Sequence, residues 1–383
     1  MEALRELINN FKPKFDKGKK LERFKFLFDA IEAFFFVPNS ETTKGSHIRD
    51  VVDLKRTMGI VVLALIPLFL FGIWNVGYQY YLSIGHLNED FVYQFGFGFY
   101  KVFPMLLVSY FSGYIVEVLY AKIVKRDVSK GLFVTSLLLT MLMPINIPLW
   151  LVAVSMAFTI LIKEFYGGTG KNMFNPTALA FCFIFFNFPN QMSSSSWVCL
   201  PGEGKLITDG FVNTTPLFSA VSGNFQNLPS FFDLFFGMTP GSVGESSKFL
   251  ILIGATILIF TGIGSWRIIF SALFGGILMS ILFNFIAATV LMRVDVFTQL
   301  LLGNFLFGVV FMSVDPVTAS KTNIGKFIYG FLFGLLAITI RILLPLEVDG
   351  MVFSLLISNI LVLAIDYLVV YYNIKKRINR IYH

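Results

Sequence analysis

Long apolar runs recur along most of this chain from Met58 onward, and they decide what it can fold into. A helical run of about 18 or more apolar residues is long enough to cross the hydrocarbon core of a bilayer. In lipid every backbone N–H and C=O must be satisfied within the protein, so repeated runs of this kind fold as a bundle of helices. Composition agrees. Of 383 residues, 56% are hydrophobic and 14% are charged, against roughly 25% charged in soluble domains. The 46 phenylalanines read as lipid-facing and packing bulk, not as an aromatic cofactor box. The fold class is therefore all-α, integral membrane.

The runs predict about ten transmembrane helices, near residues 57–78, 97–121, 131–147, 149–166, 175–190, 246–265, 267–288, 296–314, 325–345 and 350–373. Between the third and fourth, the stretch Pro144 to Pro148 predicts a tight turn, because proline breaks a helix and restrains the residue before it. Charge tests the arrangement. With the N-terminus cytoplasmic and ten alternating spans, 25 of the 30 Lys and Arg fall on the cytoplasmic side and 5 on the other. That bias is the positive-inside pattern. It places both termini in the cytoplasm and explains the net charge of +7 without nucleic acid.

Five parts follow. Residues 1–56 form a polar N-terminal arm, with no early apolar stretch of the signal-peptide kind. Within it Leu21, Phe24, Phe28, Ile31 and Phe35 recur at helical spacing, which predicts an amphipathic helix over Leu21–Val37 on the membrane face or on a partner. Residues 57–190 and 246–373 hold five spans each, around an outside segment at 191–245, and 374–383 is a basic cytoplasmic tail. Phe231 to Met238 reads as a short interfacial helix within the outside segment. Asn175-Pro176-Thr177-Ala178 and Asp315-Pro316-Val317-Thr318-Ala319 echo one another. Two odd-numbered halves related this way are inverted, a transporter architecture.

Three acidic residues fall in or at the end of spans, where charge is costly: Glu117, Asp315 and Asp366. Each could handle a cation. Glu117 could instead pair with Lys122, and Asp315, before Pro316, could cap a broken helix. Gly167-Gly168-Thr169-Gly170-Lys171-Asn172, followed by Asn175-Pro176, is a glycine-rich turn that lets backbone approach a ligand. It lacks Walker A spacing. Cys182 and Cys199 match no metal or redox spacing, so no metal site is expected.

His47-Ile48-Arg49-Asp50 with Val52-Asp53-Leu54-Lys55-Arg56, the glycine-rich turn with Asn175-Pro176, Pro240-Gly241-Ser242 with Gly244-Glu245, and Asp315-Pro316-Val317 with Ala319-Ser320 together resemble the NqrB family, a membrane component of sodium-translocating NADH:quinone reductases. The related RnfD component of the Rnf electron-transport complex shares the membrane core, and the long N-terminal arm favours NqrB. The resemblance runs from about residue 20 to the C-terminus. It implies a ten-helix inverted-repeat fold similar to urea and ammonium channels. It also implies a bacterial inner-membrane location and a six-membered complex with the partners NqrA, NqrC, NqrD, NqrE and NqrF.

The same resemblance implies FMN joined through its phosphate to a threonine. The attachment motif reads Asp, two residues, Ser/Thr-Gly-Ala-Thr. Here Asp209 and the acceptor Thr215 match, Val212-Asn213-Thr214 replace the middle triplet, and Thr214 is a second hydroxyl. Riboflavin, bound without a covalent link, is expected near Asn172, Asn175 and Pro176. Quinone is expected near Gly113 and Tyr114, where Tyr114 replaces the second of a glycine pair. Sodium is expected to pass Glu117, Asp315 and Asp366. Electrons would pass from FMN to riboflavin to quinone, coupled to sodium export. NADH would bind another member of the complex, since the chain has no Gly-x-Gly-x-x-Gly between a strand and a helix. Two alternatives use the same scaffold: a flavin-free channel or transporter, and a scaffold protein of the complex that has lost its FMN.

Overall fold

The computed structural model describes residues 54–85, 90–124, 131–199, 214–225, 228–344 and 350–381. The amphipathic helix expected over Leu21–Val37, the His47–Asp50 stretch and Asp209 lie outside them. The chain divides into two units, Met1–Val62 and Leu63–His383.

The described residues are helical, with no strand among them. Among the described residues five helices are long and apolar enough to cross a membrane. They are α1 (Leu54–Ile84), α2 (Phe91–Val124), α9 (Trp266–Ile286), α12 (Asn323–Leu343) and α13 (Met351–Ile381). Between them lie α3 (Leu132–Leu142), α4 (Leu149–Phe165), α5 (Pro176–Asn187), α6 (Pro216–Val221), α7 (Phe231–Phe236), α8 (Lys248–Phe260), α10 (Val296–Leu301) and α11 (Phe305–Phe307). The protein is an integral membrane protein of several passes.

The shorter helices mark where apolar runs and helices part company. At 1.5 Å per residue, the 11 residues of α3 span about 16 Å, half the hydrocarbon thickness. The span expected over 131–147 ends at Leu142 because Met143, which precedes Pro144, is extended at φ −81° and ψ 153°. Residues 143–147 continue non-helically in a mostly buried position. Backbone of this kind survives at membrane depth only where other protein satisfies it. The N–H of Asn146 donates to the carbonyl of Ser196, and its side-chain amide donates to the carbonyl of Val198 at 2.8 Å. The eighth expected span, 296–314, is likewise broken. α10 stops at Leu301, Gly303 takes φ 60°, α11 covers three residues, and Gly308–Met312 continues as a π-helical turn.

Close helix contact rests on small residues. A side chain on Gly334 of α12 would overlap the carbonyl oxygen of Ala272 on α9, and one on Gly330 would overlap Ser271. This is how membrane helices pack without a hydrophobic drive between them. α2 packs on α3 and α4, α4 on α5, α12 on α13, and α5 meets α13. Phe185 and Phe353 stack edge to face there, with ring centroids 5.1 Å apart.

Candidate functional site

Glu117 is held by α2 and is 1% exposed. Among the described residues it pairs with Lys163, in the last turn of α4, and not with Lys122; Nζ lies 2.7 Å from Oε1. Residues 117 and 122 lie about 140° apart around one helix, which carries Lys122 away from Glu117. Lys163 also reaches Oε1 of Glu164 at 3.4 Å. Both carboxylates and the ammonium are buried beside the glycine-rich turn, where Gly168 at φ 87° lies against the Glu164 carboxylate.

That turn is closed on itself. Gly167, Gly168 and Gly170 all take positive φ. Asn172 accepts from the Gly170 N–H and donates to the Phe174 carbonyl. Asn175 caps α5, its Oδ1 accepting from the N–H groups of Thr177 and Ala178, and Pro176 takes the first helical position. Both side chains therefore serve the turn, and the riboflavin contact expected of Asn172, Asn175 and Pro176 draws no support from this geometry.

Gly113 is a close-packing position. A Cβ there would stand 2.6 Å from Leu132 and 3.1 Å from Met156. Tyr114 lies parallel to Tyr110, with centroids 6.2 Å apart.

Asp315 and Asp366 are turn-forming and clamping residues. Asp315 accepts from the Val317 N–H at 3.3 Å and from the Thr318 hydroxyl at 2.8 Å, closing the Asp-Pro turn that precedes α12. Asp366, on α13, accepts from the hydroxyls of Ser320 and Thr322 at 2.7 and 2.6 Å and from the N–H groups of Lys321 and Thr322. Lys321 in turn donates to the carbonyls of Pro316 and Val317.

Thr215 is the N-cap of α6. Its Oγ1 accepts one hydrogen bond among the described residues, from the Phe218 N–H at 3.3 Å, and Thr214 pairs with the Ser219 hydroxyl at 3.1 Å. An ester oxygen keeps lone pairs, so a phosphoester at Thr215 is compatible with this cap. Nearby in sequence, Ser242 and Glu245 form a capping box, and Ser242 Oγ donates to Asn304 at the break between α10 and α11. The Phe231–Phe236 helix lies where the sequence predicts one.

Among the described residues three buried bases were not singled out as functional in the sequence: Lys163, Lys248 and Arg341. Each lies in or beside an apolar run, so a search for charged residues of both signs would have found them.

The chain matches the model of the "NQR2, RnfD, RnfE family" over residues 41–375. Among its relatives is a protein of Ectopseudomonas mendocina named as the B subunit of a Na(+)-translocating NADH-quinone reductase. It is 37% identical, over 99% of this chain and 99% of the relative. Proteins of the same name from Stutzerimonas stutzeri and Chromohalobacter salexigens are 35% and 36% identical, each over 99% of this chain and covering 99% and 97% of the relative.

Proposed function

We propose, from the premise that this chain belongs to the NQR2, RnfD, RnfE family, that it is the flavin-carrying membrane component of a sodium-exporting NADH:quinone reductase. One observation carries this: a relative named as the B subunit of such a complex aligns over 99% of both chains. On this reading ten crossings form two inverted halves, both termini face the cytoplasm of a bacterial inner membrane, and NqrA, NqrC, NqrD, NqrE and NqrF are the partners.

Thr215 holds FMN through a phosphoester, and Asp209 belongs to the peptide that the attaching enzyme recognises. Flavin bound there supplies one- and two-electron chemistry to the complex. The chain's own residues do the rest. Thr215 anchors the group at the start of α6, while the Thr214–Ser219 hydroxyl pair fixes the preceding backbone. The parallel Tyr110 and Tyr114 rings beside Gly113 offer a flat aromatic surface for a quinone head. Glu117 offers carboxylate oxygen, the ligand that hard cations prefer.

Fluorescence of the denatured chain in a gel tests the reading. A fluorescent band that persists in Thr214→Ala and disappears in Thr215→Ala supports it. A flavin-free scaffold on the same fold is the second reading, favoured by the Val212-Asn213-Thr214 departure and by the burial of Thr215, which is 7% exposed. A dark band from a fully assembled complex selects that alternative.

A further inference from the structure

α13 is longer than a bilayer needs. Its 31 residues run about 46 Å at 1.5 Å each, against about 30 Å of hydrocarbon. Its apolar part ends at Tyr371 and Tyr372, and tyrosine is a side chain that settles at membrane interfaces. Residues 373–381 continue as the same helix and carry Lys375, Lys376, Arg377 and Arg380. Among those bases stand Ile374 and Ile378, 52 and 47% exposed. They extend a stripe that starts within the membrane at Ile357, Ile360, Ala364, Tyr367 and Tyr371. The spacing alternates between three and four residues over three heptads, and every member is exposed. This is not the face by which α13 packs. Val362, Ile365 and Val369 are buried, and Asp366 beside them reaches the start of α12. Ala364 and Tyr371 lie two residues beyond Val362 and Val369, about 200° round the helix. In lipid an exposed apolar stripe needs no partner. In water it does, since burying an isoleucine contributes about 1.5–3 kcal/mol.

We infer that this stripe is a docking seam for one helix of a second protein, with apolar residues at heptad spacing and Asp or Glu on both flanks. Period 3.5 is the pattern by which two helices wind together. Lys375 follows Ile374 and Arg377 precedes Ile378, so both edges of the seam are basic, and edge charges set partner choice. A second copy of this chain would bring like charges together, because residues 367–383 hold no Asp or Glu. A bilayer surface also attracts bases. A helix continuous with a span crosses that surface, however, and the surface does not bury a stripe that runs along the helix axis. The inference needs only the multi-pass membrane fold and stands apart from the redox reading above.

The test uses the full chain in the membranes of cells that make it together with its partners. The photo-cross-linker p-benzoylphenylalanine replaces Ile374 or Ile378 on the seam, or Lys376, which lies about 200° from Ile374. The two seam positions are expected to capture one segment of another protein, mapped by mass spectrometry to apolar residues at heptad spacing beside Asp or Glu. Position 376 should capture none. With the probe at Ile378, Lys375→Glu combined with Arg377→Glu should lower the yield several-fold. Lys376→Glu combined with Arg380→Glu, off the seam, should leave it near wild type. Equal loss in the two double variants assigns the bases to anionic lipid and overturns the inference. So do seam positions that capture no other protein, only a second copy or another part of this chain, and so does a captured segment without acidic flanks.

Discussion

Oδ1 of Asp366 accepts the hydroxyl of Thr322 at 2.6 Å, which joins the middle of α13 to the N-cap of α12. Three more donors from residues 320–322 converge on the same carboxylate. Gly325 makes this possible, since a Cβ there would stand 2.6 Å from Asp366 Oδ1. These partners make Asp366 a clamp on the start of α12.

Hydrogen bonds to charged groups each contribute about 1.5–3 kcal/mol. Asp366→Ala is therefore expected to lower the melting temperature of the purified complex clearly, and Asp366→Asn by less, because the amide keeps one acceptor oxygen. The sodium concentration for half-maximal activity should stay at its wild-type value in whichever variant assembles. A large change in sodium response with unchanged melting would show that Asp366 is an ion ligand instead.

The α9–α12 contact gives a sharp contrast between two glycines. A Cβ on Gly334 would overlap the carbonyl of Ala272, whereas Gly96 on α2 has nothing within 4 Å. Overpacking typically costs about 1–3 kcal/mol for small additions, so Gly334→Ala should reduce stability and Gly334→Leu should prevent assembly. Gly96→Ala should be neutral or slightly stabilising, by up to about 1 kcal/mol of helix propensity. Yield and melting temperature of the two alanine variants, measured side by side, check this. Equal behaviour would mean that α9 and α12 do not approach as described.

Which parts of this were readable in the sequence follows from what hydropathy measures. Apolar runs located α1, α2, α9, α12 and α13 because a long helix in lipid needs little else. They did not reveal that α10 ends at Leu301. Leu300, Leu301 and Leu302 are apolar and buried on both sides of that end, and the break comes from the Gly303–Asn304 backbone. Pro144 did mark the end of α3, through its effect on Met143. In the site, the acidic residues were visible as costly charges, but their partners were not. Lys163 is 46 positions from Glu117, and only the packing of α2 against α4 brings them together.

Thr215 has two roles that can be separated. As N-cap it accepts from the Phe218 N–H, and loss of a cap costs about 1 kcal/mol. As flavin acceptor it needs a hydroxyl. Thr215→Asn keeps a good cap without the hydroxyl, so it should preserve the melting temperature while abolishing in-gel flavin fluorescence. Thr215→Ser should preserve both, and Thr215→Ala should lose both. Fluorescence persisting in Thr215→Asn would move the attachment to another residue, with Thr214 the first to examine by the same substitution.

Arg341 closes the break between α10 and α11 from the opposite helix. It sits in the last turn of α12, is 2% exposed, donates to the carbonyls of Gln299 and Leu302, and lies 5.9 Å from the Phe305 ring centroid. The last carbonyls of a helix have no partner within it, and they carry the negative end of the helix dipole, where a cation is favoured. A guanidinium satisfies two such carbonyls at once because its donors form a rigid fork, while an ammonium is a single point on a flexible stem. Arg341→Lys is thus expected to destabilise the protein by about 1–3 kcal/mol, the cost of leaving a buried acceptor unsatisfied. Arg341→Met, which removes every donor, should do so by more. Thermal unfolding of the two variants checks the order. If lysine restores full stability, the fork is not what holds the α10 end, and charge alone would account for the burial of Arg341.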